Sequence, residues 1–189
     1  MSGVMLKEIH DRAEKEMKKA IEATLKGFNG VRTGRASLAL LDGFMVEAYG
    51  TAMPISQIAT LAVPETRLIT VQPWDTALLP AIERAILKSD LGVMPANDGK
   101  LIRIPIPALT EDRRKELVKM VRKMGEDGRV TVRNIRRDAN ERLKRKEKEK
   151  EAPEDEVKKG LETIQNLTNR LIKEIDDLLA KKEKEIMQF

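Results

Sequence analysis

Val157, Ile164, Leu171 and Leu178 follow one another at intervals of seven, and Leu161, Thr168 and Ile175 fill the complementary positions of the same repeat. Such spacing marks a helix whose apolar seam faces other helices. Two further stretches can supply the partners. From about Val4 to Phe28, Leu6, Ile9, Ala13, Met17, Ala20, Thr24 and Phe28 recur at gaps of three and four, and Asn29-Gly30 offers a C-terminal cap. A second helix is predicted to open at Thr110, with Glu111 and Asp112 at its positive end, and to run to about Lys150. Ala152-Pro153 then breaks the chain, and Glu154-Asp155-Glu156 starts the heptad helix. Three apolar stripes in one chain are buried most simply by an intramolecular three-helix bundle. Gly125 and Gly128 fall inside the central helix, where each costs about 1 kcal/mol relative to Ala. Local softness is expected there.

The character changes between residues 31 and 107. Short β-favouring runs at Met45–Tyr49, Leu61–Val63, Arg67–Gln72 and Lys100–Ile104 alternate with Gly and Pro, and Asn97-Asp98-Gly99 reads as a turn. Asp75 to Lys88 reads as one helix, with Asp75 as its N-cap and Leu78, Leu79, Ile82, Ala85 and Ile86 on its apolar face. Trp74 is expected to anchor the local core. The expected fold is therefore α+β in two domains. Residues 1–30 and 108–189 form an elongated three-helix bundle, and residues 31–107 form an inserted, β-rich α/β domain with one helix. Two strands must join these bodies, so a hinge is expected at Arg32, Thr33, Gly34 and Arg35 on one side and at Pro105 and Pro107 on the other. Arg32 and Arg35 suit three roles equally: capping helix ends, bridging domains or touching phosphate.

Charge divides the same way. Residues 31–105 hold seven Lys/Arg and seven Asp/Glu, whereas the remainder holds 29 basic and 24 acidic residues and thus the whole net charge of +5. A basic body beside a neutral one points to a polyanion partner for the first alone. The chain has no cysteine, which excludes disulfides, thiol nucleophiles and thiolate metal sites. Its single histidine, His10, sits in a charged amphipathic segment and supports neither a triad nor a His-based metal site. No cofactor or metal is expected. No apolar run reaches the roughly 18 residues that span a bilayer, and the N-terminus lacks a signal-peptide core, so a cytoplasmic location is expected.

The strongest functional signal lies on the central helix. At about 100° per residue, Arg122, Arg129, Arg133, Arg136 and Arg137 share an arc of about 100°. Leu117, Val121, Met124, Val132, Ile135 and Ala139 form a separate stripe a quarter to a third of a turn away. Glu126 is the one acid inside the arginine arc. A guanidinium is a permanent cation whose planar fork matches phosphate oxygens, so such a row can grip a polyanion.

Several blocks resemble one known family. Val31-Arg-Thr-Gly-Arg-Ala-Ser37 followed by Leu40-Leu-Asp-Gly43 is similar to the joint of bacterial ribosome recycling factors. Ser89-Asp-Leu-Gly92, Leu109–Lys115, Val132–Asn140 and Ile186-Met-Gln-Phe189 resemble the same family in order and spacing. The resemblance spans nearly the whole chain. It implies that Arg133 and Arg136 contact large-subunit ribosomal RNA, with Arg129 and Arg137 flanking them, and that Arg32-Thr-Gly-Arg35 is the interdomain hinge. The implied function is to bind the post-termination ribosome between the subunits and, with elongation factor G, to split it and release mRNA and tRNA. GTP hydrolysis would belong to that partner; the chain carries no GxxxxGK[ST] phosphate loop and reads as a non-enzyme. It departs from the family pattern at Leu38, commonly proline, and at Gly125 and Gly128, commonly better helix formers.

Two other readings stand beside this one. A scaffold or general nucleic-acid-binding helical protein would dimerise through the heptads, whereas the recycling reading expects a monomer. An enzyme in the small domain would need paired carboxylates, and Asp42, Glu47, Glu65, Asp75, Glu83, Asp90 and Asp98 form no such motif.

Overall fold

The computed structural model describes residues 2–188, and the chain divides into two compact units: residues 2–32 with 111–188, and residues 33–110.

The first unit is a three-helix bundle of α1 (Ser2–Asn29), α3 (Glu111–Lys148) and α4 (Glu154–Gln188). All three pairs of helices pack on one another, so the three stripes close on themselves within one chain. One core layer gathers Ala13, Ala139, Leu143, Val157 and Ile164; the next gathers Met17, Ile21, Val132, Leu167, Leu171 and Ile175. Each fully buried Leu, Ile or Met contributes about 1.5–3 kcal/mol relative to an exposed one. Thr168 lies wholly inside the heptad seam, and its hydroxyl donates to the Ile164 carbonyl at 2.7 Å, which meets its need for a partner.

The central glycines have a packing reason. Gly125 and Gly128 are buried, Gly125 against α4 and Gly128 against α1 and α4. A Cβ on Gly125 would sit 3.1 Å from Leu179 Cδ2 of α4, and one on Gly128 would overlap the Thr24 hydroxyl of α1. At Gly128 the missing side chain leaves the room that α1 occupies, whereas at Gly125 the neighbour is the end of the Leu179 side chain. The signal was present in sequence: both glycines fall on the apolar stripe rather than the solvent face.

α3 ends in a hydrogen-bonded turn. Glu151 N–H donates to the Lys146 carbonyl at 2.9 Å and Lys150 N–H to the Glu147 carbonyl at 3.0 Å. Lys150 takes the left-handed conformation, with φ of 57°. This is a Schellman end with lysine where glycine is usual. The apolar contact that often accompanies it is replaced by an ion pair, Lys146 Nζ to Glu151 Oε2 at 2.5 Å.

The second unit holds two antiparallel sheets. β1 (Met45–Ala48) and β2 (Thr51–Pro54) form a hairpin through Tyr49 and Gly50, whose φ values of 52° and 77° match the left-handed pair that a tight two-residue turn requires. β3 (Ala59–Glu65), β4 (Leu68–Pro73), β5 (Ala96–Asn97) and β6 (Ile102–Pro105) form the other sheet in the order β3-β4-β6-β5. α2 (Leu79–Lys88) follows a single 3-10 turn over Thr76–Leu78, which Asp75 caps by accepting from Ala77 N–H at 2.9 Å. β2 and β5 escaped the sequence reading, being short and without apolar alternation. The core is aliphatic, built on Ile55, Ile69, Ile82, Ile86, Ile102 and Ile104.

Trp74 is not part of that core. It is 67% exposed, and its indole N–H donates to Thr60 Oγ1 at 3.1 Å. Strand parity explains this: Ile69, Val71 and Pro73 of β4 point inward, which turns the even-numbered positions leading to Trp74 outward.

Candidate nucleic-acid interface

The arginine row lies on α3 beside α4, and its members differ in what holds them. Arg122, Arg129 and Arg136 are seven residues apart. The two helices run antiparallel: Arg122 meets Glu183 and Arg129 meets Asp176, seven apart in reverse order on α4, and the next position of that series is Asn169. The first two rungs are ion pairs. Arg122 Nε donates to Glu183 Oε1 at 2.6 Å and its Nη2 to Oε2 at 3.3 Å, a bidentate grip. Arg129 Nη1 reaches Asp176 at 2.5 Å, while its Nε donates to Glu126 at 2.8 Å.

These contacts appear in the protonation equilibria. Burial works against the Arg129 cation, but its hydrogen bonds to Glu126 and Asp176 outweigh burial and raise its pKa. The hydrogen bond to Glu183 likewise raises that of Arg122. Glu126 is held below its ordinary value by hydrogen bonds from Arg129 and then Arg133.

The third rung is different. Arg136 Nη1 donates to the carboxamide oxygen of Gln165 at 3.2 Å, and Gln165 Nε2 donates in turn to Asn169 Oδ1 at 2.8 Å. Among the described residues no carboxylate lies within 4 Å of the Arg136 or Arg137 guanidinium, and Arg137 donates to the neutral amide of Asn134 at 2.9 Å. Arg133 is intermediate: it is half-exposed and bonds to Glu126 at 3.2 Å, an acid shared with Arg129. The row is thus compensated at its Arg122 end and increasingly uncompensated toward Arg136 and Arg137. Sequence periodicity revealed the arginines but not this gradient. Gln165 and Asn169 carried no signal until the pairing register of α3 and α4 was known.

The residues expected at the joint are placed as follows. Arg32 and Arg35 are exposed, and Thr33 is buried. Gly34 is buried with φ of 76°, and a Cβ there would meet Leu109 Cγ at 3.1 Å, so this position demands glycine on both counts. Pro105 ends β6, and Pro107 directs its carbonyl toward Gly34. His10 lies on α1 next to Asp11 and takes no part in the arginine row.

Three acids of the second unit bond within it. Asp75 caps the turn before α2 and accepts from the Tyr49 hydroxyl at 2.9 Å. Asp98 accepts from the backbone of Lys100 and Leu101, both at 2.9 Å, and from Arg103 at 2.6 Å. Glu83 accepts from Asn97 at 3.4 Å.

Comparison with known proteins identifies the family. The family described as ribosome recycling factor matches residues 24–187. The ribosome-recycling factor of Desulfatibacillum aliphaticivorans is 56% identical over 185 residues, covering 98% of this chain and all of that one. That of Pelotomaculum thermopropionicum is 55% identical over 188 residues, covering both chains completely. A solution structure of a ribosome recycling factor, 46% identical, aligns with a TM-score of 0.74 over 97% of this chain and 98% of that one. A second structure, 47% identical with a TM-score of 0.62 over 96% and 98%, is of the Thermus thermophilus factor with Escherichia coli elongation factor G bound to the post-termination complex. The chain belongs to the ribosome recycling factor family.

Proposed function

We propose that this chain recycles ribosomes by binding the post-termination ribosome between its subunits. Together with elongation factor G it then separates them and frees mRNA and tRNA. The energy comes from GTP hydrolysis by that partner; this chain contributes grip and shape rather than catalysis, and it works in the cytoplasm as a monomer. Arg133, Arg136 and Arg137 take phosphates of large-subunit ribosomal RNA. Arg122 and Arg129 border that site and are tied to Glu183 and Asp176. The observation that carries this assignment is the gradient along the row, which leaves the Arg136 end with neutral partners. The joint at Arg32, Thr33, Gly34 and Arg35, with Pro105 and Pro107 on the returning strand, lets one unit turn against the other. Support for the hinge comes from the division of the chain at residues 32/33 and 110/111. Among the described residues no helix is long and apolar enough to cross a membrane.

Ribosome binding and subunit dissociation, measured with elongation factor G and GTP, test the proposal. Arg136→Ala is expected to weaken binding roughly tenfold, the equivalent of one charge-assisted hydrogen bond, and to slow splitting accordingly. Each lost phosphate contact also removes about 0.7–0.9 from the slope of log affinity against log salt. A variant that binds and splits ribosomes like the parent would remove Arg136 from the mechanism. A parent protein that splits no subunits would remove the function itself.

A further inference from the structure

Between α3 and α4 an arginine–carboxylate contact occurs twice at heptad spacing and gives way to a neutral partner at the third arginine. Arg122, Arg129 and Arg136 sit seven apart on α3; the first two meet Glu183 and Asp176, whereas the third bonds Gln165, one helical turn before the heptad position Asn169. Neither Gln165 nor Asn169, the two α4 residues at this level, carries a carboxylate. What stands there keeps the hydrogen bond and omits the charge. The amide of Gln165 is not free to flip, because its nitrogen is engaged by Asn169 Oδ1 at 2.8 Å. That contact turns the oxygen toward Arg136. The guanidinium is therefore oriented by an acceptor that neutralises none of its charge.

From this arrangement we propose that Gln165 is a positioning residue for RNA binding: it aims the Arg136 guanidinium at phosphate while leaving its charge uncompensated. The inference rests on the assignment of Arg136 as a phosphate ligand. A guanidinium has five N–H donors in a rigid plane. One of them bonded to Gln165 fixes the plane of the other four, so that a phosphate meets a prealigned fork. A flexible arginine would have to lose side-chain freedom on binding, and an ion-paired one would have to give up a carboxylate first. The neutral amide avoids both costs.

Two substitutions separate these effects. Gln165→Glu keeps the shape and supplies the missing carboxylate, which should clamp Arg136 as Asp176 clamps Arg129. Ribosome affinity should fall roughly tenfold. The salt slope should drop by about 0.7–0.9, as one phosphate contact is replaced by an internal pair. Gln165→Met removes the acceptor without adding charge; it should cost a few-fold in affinity with the slope unchanged. Thermal midpoints should stay close to that of the parent, since position 165 is exposed. Arg136→Ala is measured alongside. If it weakens binding while Gln165→Glu matches the parent in affinity and slope, the positioning role is wrong and the assignment of Arg136 stands. If Arg136→Ala itself binds like the parent, the underlying assignment fails. If Gln165→Glu and Gln165→Met lose affinity equally with the same slope, the effect is shape alone and the charge argument is overturned.

Discussion

Gly128 of α3 lies directly against the Thr24 hydroxyl of α1, with no room for a methyl group between them. Thr24 is pinned there by its hydrogen bond to the Ala20 carbonyl at 2.9 Å. An Ala at 128 would gain about 1 kcal/mol of helix propensity, but it would force this pair apart. Gly128→Ala is therefore expected to destabilise the protein by about 1–3 kcal/mol, the usual cost of overpacking. The double variant Thr24→Ala with Gly128→Ala should recover most of that loss. Urea unfolding of the four proteins forms a double-mutant cycle, and additivity within about 0.5 kcal/mol would show that the two residues do not collide. Gly125→Ala is the contrast, since its obstacle is the mobile end of Leu179, and it should be neutral or mildly stabilising.

At the end of α3, Lys150 holds a left-handed conformation that costs an L-residue about 1 kcal/mol. Lys150→Gly should relieve that strain, offset in part by greater freedom of the unfolded chain. A net gain of about 0.5 kcal/mol is expected in the urea midpoint at unchanged slope. A loss of stability would mean that the Lys150 side chain supports the turn in a way its backbone does not reveal.

The arginines of the row should differ in what they contribute to stability. Arg129→Ala removes two ion pairs around a largely covered side chain and should lower stability by about 1 kcal/mol. Arg136→Ala loses one hydrogen bond to an exposed amide and should stay within about 0.5 kcal/mol of the parent. Thermal unfolding of both variants under identical buffer checks the order. The reverse order would place the structural weight at the wrong end of the row.

Asp98 should respond to acid. Backbone N–H groups of Leu101 and Lys100, then Arg103, hold its carboxylate down to about 2 from the usual 3.8. A depressed folded-state pKa contributes stability that is complete above the unfolded value and lost as pH falls through the folded one. The contribution of Asp98 should thus be intact at neutral pH and should disappear between about 4 and 2. Side-chain NMR titration should find the Asp98 carboxyl near 2, and the stability difference between parent and Asp98→Asn should close over the same interval. An Asp98 that titrates at its ordinary value would show that the turn is open in solution.

Trp74 offers a check without mutation. Its exposed ring should emit like tryptophan in water and be quenched readily by acrylamide in the native state. A blue-shifted, protected spectrum would return it to the core.

Helix periodicity made the bundle legible, because each of its three stripes repeats over many turns. The same arithmetic exposed the arginine row and, in Gly125 and Gly128, held a message that went unread: residues on the buried stripe without side chains mark close approach. The small domain was harder. β2 and β5 are too short for alternation to register, and Trp74 was assigned by residue type where strand parity would have placed it outside. Gln165 was illegible for a deeper reason. Its meaning depends on which residue of another helix lies opposite, and that register is a product of packing rather than of either helix alone.

The insertion of the small domain also sets an order of events during synthesis. α1 emerges first with its apolar stripe bare, and about 80 residues pass before the start of α3 follows. At roughly 5–20 residues per second, that is a wait on the order of 4–16 s. The domain encoded in between can complete itself during the interval, since its sheets and α2 draw on no residue outside 33–110. α3 is then the first partner α1 can meet, and the bundle cannot close until α4, the last helix made, has followed.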